Sequence, residues 1–395
     1  MDYKISTNSI HTHRPEIPEG NSPLVSPIHQ SVKYIPRNVS HLREILKDRH
    51  QGFLYTRVSN PTVRELEVLL AKLQGRDDAI CVSTGISAIA VTVISLLKSG
   101  DHVLMFRESY KPTRFLQKNI LAKLGVRTTV LGLDDHKQFE QIMKNDPPRL
   151  VLLESPTNPL VRVPNLQPIL AACQSAKSFS ILDNTFAGFS HHGDLPVDIF
   201  IHSLTKHANG HSDSMGGVII ANKDVIDSIW ATSITIGATL DPNSAWLILR
   251  GMKTYDLRTK AASANALKIA QWLSSQSSIT NLRYPGLPTH PDHLIWSKQM
   301  KGDGGSVLSF DVKGSVETME KFVDSLKLFA LTPSLGCVES LVAPCLCLFG
   351  DDLTAEDAKL AGISPSTVRL AVGIEDSDDL ISDLKQALES LQIKS

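Results

Sequence analysis

The 395-residue chain has no long apolar run. Its longest candidate, Ala88–Leu97, falls well short of the roughly 20 residues that cross a bilayer. The cysteines are few and odd in number: Cys81, Cys173, Cys337, Cys345 and Cys347, with no CxxC pair. A disulfide scaffold and a structural zinc site are therefore not expected. Charge of one sign is missing too. Lys+Arg total 40 against 41 Asp+Glu, a formal net charge of −1. That balance argues against a nucleic acid or an anionic membrane as partner. The 14 histidines include His191-His192 but no HExxH spacing, so no metal is expected. Neither GxGxxG nor GxxxxGK[ST] occurs, which disfavours a dinucleotide or nucleoside-triphosphate site. Met1–Gly20 is polar, carries His11 and His13, and lacks an apolar signal core. Secretion is not expected, and reduced thiols in the cytoplasm are the simplest setting.

What the chain does have is 42% hydrophobic against 21% charged residues. This is enough to bury a large core, and the length exceeds the usual single core. Residues 1–60 read as an extended arm interrupted by Pro15, Pro18, Pro23, Pro27 and Pro36. Residues 61–250 read as a large domain and 251–395 as a smaller one. The spacing predicts a helix over Pro61–Leu73, with Asn60 as cap and Val63, Leu66, Leu69, Leu70 and Leu73 on one face. Short apolar runs then alternate with helices. Strands are predicted at Ala79–Val82, His102–Phe106, Leu150–Leu153, Ser180–Leu182, Ile199–His202 and Gly217–Ile220. Helices are predicted at Ile86–Leu97 and Phe115–Leu124. The pattern is that of an α/β fold with a mostly parallel sheet covered by helices on both faces. The texture changes near residue 250. A helix over Thr259–Leu273, a strand over Ser306–Val312 with one wet face, and a helix over Leu380–Leu391 predict an α+β unit.

Sheets of this kind bind ligands beyond the carboxyl ends of their strands. Four polar places stand there. Ser83-Thr-Gly85-Ile86-Ser87 joins a strand to a helix, and a helix start attracts an anion such as phosphate; a glycine needed only for a tight turn is the bland alternative. Asp183-Asn-Thr follows a strand and could pair with a cationic ring nitrogen, although a turn or cap residue is the simpler reading. Ser203-Leu-Thr205-Lys206 ends another strand. Its lysine could form an imine once desolvation lowers its pKa, whereas most lysines are merely solvated. Arg369, in Ser366–Val372, could read a carboxylate bidentately or form a surface ion pair. Together these places supply an anion cradle, a carboxylate, an amine and a guanidinium, a set suited to pyridoxal phosphate acting on an amino acid.

The sequence resembles the trans-sulfuration, or Cys/Met-metabolism, family of pyridoxal-phosphate enzymes over nearly its whole length. The resemblance is carried by Tyr55-Thr-Arg57-Val-Ser-Asn60-Pro61-Thr62, Ser83–Ser87, Glu154-Ser-Pro-Thr-Asn158-Pro159, Asp183-Asn-Thr-Phe186, Ser203-Leu-Thr205-Lys206, Gly210-His-Ser-Asp213, Ser334-Leu-Gly336 and Val368–Glu375. It implies the fold-type I architecture of such enzymes, with a seven-stranded sheet. It also implies roles. Lys206 would bond the cofactor and shuttle protons, Asp183 would hold the ring nitrogen protonated, and Tyr110 would stack on the ring and join in proton transfer. Gly85, Ile86, Ser203 and Thr205 would bind the phosphate, with Tyr55 and Arg57 added from a neighbouring subunit. Asn158 would lie by the ring hydroxyl, and Ser334 and Arg369 would hold the substrate carboxylate. A homodimer is then the minimum active unit, and a homotetramer is the expected assembly.

Within the family, Tyr110-Lys-Pro112-Thr-Arg114 and the downstream Leu121–Val126 are similar to cystathionine β-lyases. Glu154–Pro159, Thr185-Phe186 and Ser334-Leu335 are similar to γ-acting members. The resemblance implies a carbon–sulfur lyase acting on cystathionine or a related cysteine thioether by β-elimination. The competitor is γ-elimination or γ-replacement. A non-catalytic relative on the same fold is the remote alternative.

Overall fold

The computed structural model describes residues 21–300, 304–350 and 353–391. Met1–Gly20, with the first part of the expected arm, Pro15 and Pro18, lies outside the described residues. Seven strands form the larger sheet: β1 (Asp78–Val82), β2 (His102–Phe106), β3 (Arg127–Leu131), β4 (Leu150–Glu154), β5 (Phe179–Asp183), β6 (Ile199–Ser203) and β7 (Gly217–Ala221). Their spatial order is β1-β7-β6-β5-β4-β2-β3. Only β7 runs against its neighbours, β1 and β6. Strands β1, β2, β4 and β7 are buried throughout, as unbroken apolar runs covered on both faces should be.

Alternate residues feed two separate cores. Ala79, Cys81, Leu104, Leu153 and Phe200 pack into one. Ile80, Val82, Val103, Leu152 and Ile201 pack into the other. A period of two in the pleat thus locks the register, because a one-residue slip would exchange both cores at once. That register sets Glu154 of β4 beside Asp183 of β5, and Asp183 beside Ile201 of β6. The polar strand ends therefore share one edge of the sheet.

The second sheet has five strands in the order β10-β11-β12-β9-β8: β8 (Ile279–Arg283), β9 (Val307–Val312), β10 (Ala330–Leu331), β11 (Leu341–Pro344) and β12 (Thr367–Ala371). The helices Tyr255–Leu273 and Ser377–Ser390 pack on it around Leu308, Phe310, Phe322 and Leu384.

The helix Pro61–Gln74 matches its expected start. Asn60 accepts from the N–H groups of Thr62 and Val63, and Gly75 ends the helix at φ 68°. Three expectations differ. Leu73 is 44% exposed rather than part of the apolar face. The segment expected as one helix over Phe115–Leu124 is an α-helix at Lys111–Leu116, led by Pro112 in its first turn, continuing into a π-helical turn at Gln117–Leu121. The wet face expected for Ser306–Val312 is absent. All of β9 is buried, because the polar side chains of Ser309 and Asp311 lie inside too, and Asp311 accepts from Thr367 at 2.7 Å and Asn281 at 2.8 Å.

Candidate active site

The helix Gly85–Leu96 starts at the carboxyl edge of the larger sheet. Thr84 caps it by accepting the Ser87 N–H at 3.1 Å. The N–H groups of Gly85 and Ile86 precede the first intrahelical bond and point out of the helix start. Glycine is required here by space: a Cβ on Gly85 would lie 2.8 Å from Ser203 Cβ, and one on Gly217 would lie 2.1 Å from the Thr84 carbonyl oxygen. These close approaches bring the helix start onto the ends of β6 and β7. The Thr205 hydroxyl is anchored beside it by the Gly216 N–H at 3.1 Å.

Asp183 ends β5. Both the hydroxyl and the N–H of Thr185 donate to its Oδ1, at 2.6 and 3.1 Å, so Oδ2 remains for a donor in the cavity. Burial raises the Asp183 pKa despite these bonds. A cationic partner would restore the ionised form. The Thr185 hydroxyl in turn accepts the Ser203 N–H at 2.9 Å, tying β5 to the lysine-bearing turn.

The Lys206 amine donates to Ser334 Oγ at 2.8 Å. Burial first, and the nearby Arg369 charge second, bring its pKa down to about 8. An amine so lowered is a usable nucleophile and base near neutrality. Arg369 rises from β12, is 2% exposed, and donates to Asn158 Oδ1 and the Ser334 carbonyl, both at 2.6 Å. Burial lowers its pKa to about 10. Ser334 holds φ at 111°, a region that disfavours side chains; such strain costs about 1–3 kcal/mol and collects at functional sites. Tyr110 sits at the start of the helix Lys111–Leu116, and burial raises its phenol pKa.

All these groups line one cavity of about 310 Å³. Gly85, Ile86, Tyr110, Asn158, Asp183, Ser203, Thr205, Lys206, Ser334 and Arg369 are brought together there. The remaining wall is largely apolar, including Ile89, Pro112, Phe186, Met215, Pro333 and Leu335. Tyr55 and Arg57 are not in it. Arg57 donates to the Ile234 carbonyl at 2.7 Å and stacks 5.6 Å from the ring centre of Tyr55, which is 38% exposed. Among the described lining residues the cations are Lys206 and Arg369, and neither belongs to the helix-start cradle.

Two functional groups carry roles that the sequence reading did not assign. Thr185 is the bridge just described. Glu154, 8% exposed, accepts the Tyr110 N–H at 2.8 Å and the Asn158 N–H at 2.9 Å. An acid that ends a buried strand was the available signal. The Gly210-His-Ser-Asp213 turn braces the site from behind. A Cβ on Gly210 would lie 1.9 Å from Arg258 Nη1, and the Gly210 carbonyl accepts the Val338 N–H at 3.0 Å. Among the described residues there is no grouping of side chains able to hold a metal ion, and no helix long and apolar enough to cross a membrane.

The donor set fits pyridoxal phosphate: a lowered amine, a buried carboxylate with one oxygen to spare, and a helix start where only glycine leaves room. A sequence model of the family described as Cys/Met metabolism PLP-dependent enzyme matches residues 6–389. The chain is 35% identical over 394 residues to the L-methionine gamma-lyase of Fusobacterium nucleatum subsp. polymorphum, covering 98% of this chain and 99% of that one. It is 33% identical over 370 residues to the chloroplastic cystathionine gamma-synthase 1 of Arabidopsis thaliana, covering 93% of this chain and 66% of the relative's length. A solved structure from Campylobacter jejuni that carries a pyridoxyl-lysine monophosphate superposes with a TM-score of 0.88 at 29% identity, covering 98% of this chain and 100% of that one.

Proposed function

The chain belongs to the Cys/Met metabolism family of pyridoxal-phosphate-dependent enzymes, and on that premise we propose that it breaks the carbon–sulfur bond of a sulfur-containing amino acid by γ-elimination. The observation that carries the amino-acid chemistry is the Lys206 amine, lowered to about 8 and bonded to Ser334, in one cavity with Asp183 and Arg369. When bound, the cofactor supplies an electron-withdrawing ring that acidifies the substrate Cα–H. Asp183 Oδ2 would hold a proton at the ring nitrogen. Lys206 Nζ would hold the cofactor through its aldehyde and would move the substrate protons. Tyr110 would offer its ring to the cofactor. Arg369, with Ser334, pairs with the substrate carboxylate. The apolar wall receives the thioether arm and keeps water from the reacting carbon.

Tyr55 and Arg57 of a second copy would complete the phosphate site, which makes a homodimer the minimum active unit; a homotetramer of two such dimers is the proposed assembly. Residues 1–60 are then the arm that reaches across, 61–250 the cofactor-binding domain, and 251–395 the smaller domain that carries Arg369. The free thiols of Cys81, Cys173, Cys337 and Cys345, all buried, suit a cytoplasmic setting.

The γ position is supported by the names of the two relatives above and by Glu154–Pro159 and Ser334-Leu335. β-Elimination is the second reading, favoured by Tyr110-Lys-Pro-Thr-Arg114. A product assay with methionine, cystathionine and an acyl-homoserine plus cysteine separates them. We expect 2-oxobutyrate. Pyruvate in its place moves the assignment to β-elimination, and cystathionine formed from the acyl-homoserine and cysteine, without 2-oxobutyrate, moves it to γ-replacement. No product from any of the three would sink the proposal.

A further inference from the structure

We propose that Glu154 is a positioning residue that couples the cofactor platform to the substrate clamp. Its carboxylate ends β4, and each oxygen accepts one backbone N–H from a different loop. Oε2 takes Tyr110 at 2.8 Å, on the loop after β2. Oε1 takes Asn158 at 2.9 Å, on the loop after β4. Tyr110 presents its ring to the cavity, and the Asn158 amide oxygen accepts Arg369 Nη1 at 2.6 Å from the second sheet. One buried carboxylate therefore sets both the height of the aromatic platform and the reach of the carboxylate-binding arginine.

The geometry calls for two acceptor oxygens and not merely for a polar side chain, because each oxygen of Glu154 faces one N–H donor. Burial first, and the neighbouring Asp183 charge second, hold the Glu154 pKa well above its ordinary value, although the two N–H bonds oppose them. A glutamine in the same place can accept only one of the two bonds, and its NH2 faces the other donor. Loss of one of the two bonds should release whichever loop the amide turns away from.

The inference rests on the proposed role of Arg369 in binding the substrate carboxylate. The test compares wild type with Glu154→Gln, both loaded with pyridoxal phosphate. KM and kcat are measured with methionine and cystathionine, together with visible circular dichroism of the bound cofactor and thermal unfolding of the cofactor-free chains. We expect KM to rise by about 10-fold or more, well beyond the fall in kcat. The dichroic band should change, while the cofactor-free unfolding temperature stays close to wild type. Glu154→Asp, which keeps both carboxyl oxygens but shortens the reach, should fall between the two in KM. An unchanged KM and band would overturn the proposal, as would a lowered unfolding temperature as the sole effect. If both variants fail to fold, the carboxylate holds the fold and the proposal is likewise overturned. If wild type turns over neither amino acid, the function above fails, and the dichroic comparison alone decides the role of Glu154.

Discussion

The cavity and the arm differ in how they are finished. The cavity is assembled by the chain itself. Strand ends, a helix start and the second sheet deliver their polar groups to one space, where short bonds hold them, such as Arg369 to Asn158 at 2.6 Å, the Ser203 N–H to Thr185 at 2.9 Å and the Gly216 N–H to Thr205 at 3.1 Å. The arm is tied to the body by contacts such as Trp246 to the Ser26 carbonyl at 3.0 Å and Asn60 to the His29 carbonyl at 2.8 Å. Yet it leaves Leu24 99%, Ile35 90% and Leu46 69% exposed. The same arm carries Arg57, a cation that the helix-start cradle lacks. On the proposed reading the difference is one of origin: covalent and proton chemistry would belong to one chain, whereas charge balance for the phosphate would come from another.

The largest effect should come from inside the cavity. Lys206→Ala should abolish the covalent bond to the cofactor. After borohydride reduction, intact mass should show the pyridoxyl adduct in wild type and none in the variant. An adduct of equal yield in the variant would put the reactive amine elsewhere. Next is Asp183→Asn, which leaves the lysine bond intact but removes the charge that keeps the ring nitrogen protonated. Turnover should fall about 100-fold or more, with cofactor absorbance retained. A rate within a few-fold of wild type would refute the assigned role.

The arm gives a smaller and transferable effect. Arg57→Ala should weaken cofactor binding by about 10- to 100-fold, the worth of a charge-assisted hydrogen bond. Mixing this variant with Lys206→Ala sharpens the contrast. In mixed dimers one site joins an intact Lys206 to an intact Arg57 from the other chain. Random reassortment should restore about a quarter of wild-type sites. No recovery at limiting cofactor would place Arg57 in its own subunit's chemistry or in none.

Much of this was legible in the sequence because it depends on local pattern. Buried parallel strands are unbroken apolar runs, and β2 lies where expected, at His102–Phe106. Asn60, Pro61 and Gly75 mark a helix by capping chemistry alone. Strand β3 went unseen because it lies at the sheet edge, where Arg127 and Val130 are exposed and Thr128 and Thr129 only half-buried, and it carries no apolar run. The burial of β9 also escaped, since its carboxylate, Asp311, is satisfied by Thr367 and Asn281, both distant in sequence. The same holds for Glu154. A strand-end acid is common, and only the fold shows that two loops hang from it.

The smallest expected effect is a bend in a pH profile, and it tests whether the cavity is as dry as its geometry implies. Burial and Arg369 lower the Lys206 amine from its ordinary 10.5 to about 8. The protonated amine cannot attack the cofactor aldehyde, so loading of the cofactor-free chain must fall as the pH drops below that value. The decline should approach about tenfold per pH unit. Above about 8 the amine is already free, and the rate should level off. An amine in open water would instead keep gaining rate until past pH 10. Stopped-flow absorbance of cofactor uptake between pH 6 and 10 separates the two shapes. Arg369→Gln removes one of the two lowering causes, so its plateau should begin at higher pH than in wild type. A plateau that stays put would leave desolvation alone in charge of the lysine, and a rate still climbing at pH 10 in wild type would mean that the cavity does not lower the amine at all.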